Sequence, residues 1–303
     1  MHLKFKYADL LDDLAFKLVF GQESTKDVMI EFLNQVIKDR RIVDVEFLDK
    51  EMHPYDRERK SSVYDLFCKT DDGSRIVVEL QRRKQDRYAE RMLYYSMHQI
   101  TRQVEAGAGS YDFCPVYVIS ILEFTLDQND GCDDVRTVYR FCEEGSGRVL
   151  TDRLTFIFLE LPKFNKTVEQ LDGNVLEGMY FCLKNMQHLT ERPEILAHNV
   201  FKKIFEVSEL LRMDEETRIN ILSNMTTERD LRNQMEYAKR TAIAEGHAEG
   251  RAQGLAEGLA EGRAEGRSEG LEEVARRMLA MGMDVQQISA ATSLTVERIE
   301  ALR

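Results

Sequence analysis

Along the chain, apolar residues set the element order before any chemistry is considered. Leu10, Leu14, Phe16, Leu18 and Phe20 recur at helical spacing and stop at Gly21, which predicts a helix over residues 9–20. A second helix follows over 25–38, carrying Val28, Phe32, Leu33, Val36 and Ile37. The period then changes. Ile42-Val43-Asp44-Val45-Glu46-Phe47-Leu48 alternates as a strand does, and two short apolar strands follow at 62–68 and 76–81. A helix over 85–105 carries Tyr88, Met92, Tyr95 and Gln99, a stripe that reads as core. Pro115 to Ile121 is apolar enough for a buried strand. Thr137–Cys142 and Leu154–Leu161 extend the sheet, and helices over 168–186, 194–211 and 215–225 pack on it. The order αβββαβ predicts an α/β domain with a mixed sheet flanked by helices.

Polar residues inside two of these strands interrupt the pattern. Ser62-Val63-Tyr64-Asp65-Leu66-Phe67-Cys68 carries Asp65, and Ile76-Val77-Val78-Glu79-Leu80-Gln81 carries Glu79 and Gln81. A carboxylate in an apolar strand is costly to desolvate, and two of them repel unless a cation lies between. A strand pair of this kind suits a hard divalent metal. The turn Thr70-Asp71-Asp72-Gly73-Ser74 decides whether the two acids meet. A two-residue loop at Asp72-Gly73 would set them on opposite faces. A three-residue loop with Gly73 as the left-handed residue of a G1 bulge pairs Asp65 with Glu79, and that register is expected here. Phe67 and Val77 then share their face, as does Gln81.

Composition adds a constraint. The chain has 303 residues, 43% hydrophobic and 32% charged, with a formal net charge of -12. An acidic protein needs a local basic patch to meet nucleic acid. Two stretches offer one: Arg57, Arg59 and Lys60 before the Asp65 strand, and Arg82, Arg83, Lys84, Arg87 and Arg91 after the Glu79 strand. Flanking both acidic strands, they are candidates for phosphate contacts. The five cysteines show no Cys-x-x-Cys spacing, which suits reduced thiols in the cytoplasm. No apolar run approaches the ~20 residues that a membrane span needs.

From Ala244 to Leu271 the chain runs through seven tetrads, five of the form Ala-Glu-Gly-x and two variants, Ala-Gln-Gly-Leu and Ser-Glu-Gly-Leu. Each glycine costs about 1 kcal/mol of helix propensity against alanine. A period of four also overshoots 3.6. The segment is expected to be a partly helical stalk open to coiled-coil-like self-association. Beyond it, Asp284 and Thr295 stand at helix N-cap positions, with Ser293 in the turn between, a spacing that resembles a helix-turn-helix. The expected divisions are 1–226, 227–272 and 273–303.

An Asp followed by a strand carrying Glu-x-Gln, set among helices, resembles the PD-(D/E)xK nuclease superfamily. The closer likeness is to its PD-(D/E)xK nuclease family transposases, also called recombination-promoting nucleases. It rests on Asp13-Leu14-Ala15-Phe16-Lys17-Leu18-Val19-Phe20-Gly21, Val78-Glu79-Leu80-Gln81, Arg91-Met92-Leu93-Tyr94-Tyr95 and Phe158-Leu159-Glu160-Leu161-Pro162-Lys163-Phe164. The resemblance covers roughly residues 8–215, and more loosely the tail. It implies a restriction-endonuclease-like core and a magnesium-dependent DNA endonuclease, with Mn²⁺ as a substitute ion. Asp65 and Glu79 would be the metal ligands, joined by the Leu80 carbonyl. Gln81 would stand where many relatives carry a catalytic Lys, and Asp13 would be a candidate accessory acid. A neutral Gln orients water only by hydrogen bonds. The other readings are a catalytically weak nuclease-fold regulator or DNA-binding adaptor, and a nuclease of defence against foreign nucleic acid.

Overall fold

The computed structural model describes residues 4–48, 51–52, 62–104 and 109–302, and these fall into two compact units, Met1–Thr227 and Glu228–Arg303. In the first unit the Asp12 carboxylate accepts the Leu14 and Ala15 amide hydrogens, so α1 (Asp13–Phe20) begins there rather than at residue 9. α2 (Lys26–Val36) follows. The strands are β1 (Val45–Phe47), β2 (Glu51–Met52), β3 (Ser62–Val63), β4 (Leu66–Thr70) and β5 (Arg75–Gln81). Then come α3 (Tyr88–Thr101), β6 (Val116–Leu122), β7 (Arg136–Tyr139) and β8 (Leu154–Glu160), with α4 (Val175–Asn185) and α5 (Asn199–Ser208) after them.

Six strands form one sheet in the order β1-β4-β5-β6-β8-β7. β5, β6 and β8 run parallel; β1 with β4, β4 with β5, and β7 with β8 are antiparallel pairs. One sheet face buries Cys68, Ile76, Val78, Tyr117, Ile119 and Leu159 in a cluster with residues of α1, α2, α4 and α5. The other buries Phe67, Val77, Val118 and Phe158 with Tyr88 and Met92 of α3. This is the mixed, helix-flanked sheet of a restriction-endonuclease-like fold.

The β4–β5 hairpin has the three-residue loop. Leu66 lies opposite Val78 and Lys69 opposite Arg75, and Thr70 N–H donates to the Ser74 carbonyl at 3.0 Å. Gly73 has φ +84°, and a Cβ there would stand 2.8 Å from Cys114 Sγ, so conformation and space both require glycine. Asp72 closes the turn by accepting the Thr70 hydroxyl at 2.6 Å and the Ser74 N–H at 3.0 Å, and by pairing with Arg40 at 2.7 Å.

Three expectations need correction. The strand expected over 62–68 is broken: Ser62–Val63 pairs with Glu51–Met52 in a separate small sheet, and the main-sheet strand starts only at Leu66. Asp65 therefore stands at a break in the chain, not inside a strand. The helix expected over 168–186 is a 3₁₀ turn, Val168–Gln170, then α4. Gly173 at φ +86° separates them, and the Asn174 side chain caps the second. The helix over 194–211 contracts to α5.

α6 (Glu215–Ala280) is one continuous helix through every tetrad, where only partial helicity was expected. In the second unit α7 (Val285–Thr292) and α8 (Val296–Glu300) follow, capped by Asp284 and Thr295, with Ser293 left-handed at φ +61° between them. Ala275, Ile288 and Ile299 bury one another, and Arg298 pairs with Glu272 at 2.7 Å. No helix among the described residues is long and apolar enough to cross a membrane.

Candidate active site

Glu79 lies near the carboxyl end of β5, and Asp65 precedes the start of antiparallel β4, so the fold sets both at one end of the sheet. That edge, beyond the carboxyl ends of parallel strands, is where open α/β sheets place their ligands. Strand alternation gives Glu79 and Gln81 the same face as Val77, toward α3. Asp65 Oδ2 accepts the Leu80 N–H at 2.6 Å, tying the break before β4 to the neighbouring strand.

Two helices complete the cluster. From α1, Asp13 comes close enough to Asp65 to raise its pKa, and Lys17 Nζ lies 2.5 Å from Asp13. Lys17 is a residue that sequence reasoning passed over as half of a surface i,i+4 pair; no local signal marks it, because only the tertiary fold brings α1 to Asp65. From α3, Arg91 donates to Gln81 Oε1 at 2.6 Å and stands 4.0 Å from Glu79 Oε2. Its guanidinium lies over the rings of Tyr88 and Tyr95, with centroids at 4.9 and 5.8 Å.

Electrostatically the cations at the site do not offset the burial of its two acids. Burial pushes the Glu79 carboxyl up to about 8, and the nearby Asp65 charge adds to it; Arg91, the Asp65 N–H and Lys17 only partly offset this. Burial likewise raises Asp65 to about 6, against the Leu80 N–H and Lys17, with Asp13 adding to the rise. Glu79 is 5% exposed, and its Oε1 is buried without a hydrogen-bond partner among the described residues. A bound cation would answer both features. The donors that would meet it are hard oxygens, the Asp65 and Glu79 carboxylates. Among the described residues no three His, Cys, Asp or Glu side chains group for a metal, so water would fill the remaining positions, as Mg²⁺ commonly allows.

The basic residues divide. The Arg82 side chain is 18% exposed and pairs with Asp9 and Glu123, each at 3.1 Å. Lys84 pairs with Asp127, while Arg87 is exposed at a left-handed φ of 55° just ahead of α3. The Arg83 carbonyl accepts the Gln81 amide at 3.0 Å. Arg57, Arg59 and Lys60 lie outside the described residues.

An open mixed sheet with an acidic pair and a Glu-x-Gln strand at the carboxyl ends of its strands defines a restriction-endonuclease-like α/β protein. Residues 10–238 match the family model described as PD-(D/E)XK nuclease family transposase. The match spans most of the chain, and the chain belongs to that family. Residues 268–303 match the C-terminal HTH domain of the Rpn/YhgA-like nuclease family. No curated protein and no solved structure matches the chain.

Proposed function

We propose that the chain is a divalent-metal-dependent endonuclease that hydrolyses phosphodiester bonds in DNA, in the service of transposition or recombination. The observation that carries this reading is the buried Glu79 Oε1, without a partner among the described residues, beside Asp65 at the sheet edge where the fold opens. Asp65, Glu79 and the Leu80 carbonyl would hold the ion, and Asp13 would support Asp65 from α1. Mg²⁺ bound there, or Mn²⁺ in its place, would lower the pKa of a water and offset charge on the phosphate. In the reaction a water oxygen bonds to phosphorus, one P–O bond of the backbone breaks, and the water's proton ends on the leaving oxygen through solvent. Arg83, Arg87 and Arg91, near the site on the β5–α3 connection and α3, would contact DNA phosphates, with Lys84 and the stretch Arg57, Arg59 and Lys60 beside them. The C-terminal HTH unit would add a second DNA contact.

The rival reading, an inert adaptor that retains the fold, draws on the neutral Gln81. A plasmid-nicking assay in Mg²⁺ separates the two. The wild type is expected to nick, and Asp65→Ala and Glu79→Ala to slow nicking by about a hundredfold or more, as loss of a metal-binding group does. Equal cutting by all three sinks the site assignment. No metal-dependent cutting by the wild type favours the adaptor.

A further inference from the structure

Gln81 occupies the position where many relatives carry a charged lysine, and the structure shows what this chain does with it. Both ends of the Gln81 amide are committed. Arg91 can only donate, so the end facing it at 2.6 Å is the oxygen; the Arg83 carbonyl can only accept, so the end facing it at 3.0 Å is the nitrogen. The amide orientation thus follows from its partners. Arg91 is held on further sides by the Tyr88 and Tyr95 rings and by Gln85. Its Nε is buried without a partner among the described residues.

We propose that Arg91 supplies the positive charge that the motif lysine supplies elsewhere, delivered from α3, and that Gln81 is the positioning residue that holds it beside Glu79. The inference rests on the nuclease reading of this site. A guanidinium is a permanent cation, so the role of Arg91 is charge against a phosphate oxygen and not proton donation. Lys17 is the competing candidate, but its charge is already matched by Asp13 at 2.5 Å.

A double-mutant cycle on the full chain tests this: wild type, Gln81→Ala, Arg91→Ala and the double variant, with Arg91→Gln, Arg91→Lys and Lys17→Ala beside them. Two readouts are taken, Mn²⁺ binding by calorimetry without DNA, and single-turnover cleavage of supercoiled plasmid. Removing a charge 4.0 Å from Glu79 Oε2 should tighten Mn²⁺ binding on the order of fivefold. Gln81→Ala should tighten it less, and the double variant should match Arg91→Ala. In cleavage, Arg91→Ala should lose about a hundredfold, as loss of a preorganised donor does. Gln81→Ala should lose about tenfold through misplacement, and the double variant should be no worse than Arg91→Ala.

Additive losses, or Mn²⁺ affinity unmoved by Arg91→Ala, overturn the proposal. So does a large loss in Lys17→Ala with none in Arg91→Ala. Thermal melts check the fold. If Arg91→Ala does not fold, Arg91→Gln decides: it keeps an amide donor without the charge, so it should tighten Mn²⁺ binding and lose about a hundredfold in cleavage. Arg91→Lys, which keeps the charge, should hold wild-type Mn²⁺ affinity and cut faster than Arg91→Gln. A wild-type rate in Arg91→Gln refutes the assignment. A wild type that binds Mn²⁺ but never cuts removes the nuclease reading, while the calorimetric cycle still decides whether Gln81 and Arg91 act together. A wild type that binds no Mn²⁺ overturns both.

Discussion

A glutamate buried beside an aspartate keeps its proton after an exposed one has lost it. For Glu79 the ordinary value of 4.5 rises to about 8, chiefly through burial. The unfolded chain releases this proton near 4.5 and the folded, metal-free chain near 8. Stability from this group is therefore full below about 4.5 and is lost as pH rises to 8. In EDTA, Glu79→Gln should melt above the wild type at pH 8, with the gap shrinking toward pH 4.5, as scanning calorimetry would show. A gap that does not change with pH would contradict the burial account. The same residue scale limits what sequence alone reveals. Asp65, Glu79 and Gln81 could be singled out because polar groups in apolar strands stand out locally. Lys17, 48 residues before Asp65 in the numbering (65 − 17), carries no such mark, and neither does the grip of Gln81 on Arg91. Both are products of helix placement.

At the scale of elements, the β4–β5 register could be read from the chain because Gly73 at the third loop position suits a left-handed residue, and the loop geometry then fixes the pairing. The break before β4 could not: Ser62 to Cys68 carries no proline or glycine, and the switch of pairing partner at Tyr64–Asp65 leaves no local trace. The split of the 168–186 helix was available in Asp172-Gly173-Asn174, where a glycine followed by an Asn cap outweighs the surrounding apolar spacing. Close packing of α4 on α5 depends on another glycine. A Cβ at Gly178 would lie 2.4 Å from Phe201 Cζ and 2.8 Å from Leu196 Cδ2, both in buried side chains. Alanine gains up to about 1 kcal/mol of helix propensity there, but overpacking a filled core costs roughly 1–3 kcal/mol. Gly178→Ala should thus be net destabilising in urea unfolding, and an unchanged midpoint would show that the ring moves aside.

For the whole molecule, a net charge of -12 means that attraction to DNA depends on where the cations sit and not on their sum. The longest element, α6, has the least local support for its conformation. Gly246, Gly250, Gly254, Gly258, Gly262, Gly266 and Gly270 all lie within it, and a Cβ at any of them would meet nothing within 4 Å. Replacing all seven by alanine should raise the helix melt followed by circular dichroism, at roughly 1 kcal/mol per site, without steric cost. If melting falls instead, these glycines face a surface that the single chain does not display.

The bond from Leu80 N–H to Asp65 gives the two acids different evolutionary fates. Asp65 anchors the seam where the main sheet begins, so a lineage under selection only for abundance would still retain an acceptor there. Glu79 is a burden on the metal-free fold, and the same lineage would shed it. Copies decaying after loss of activity should therefore change at 79 before 65, and the order of loss would record which residue served folding and which served only chemistry.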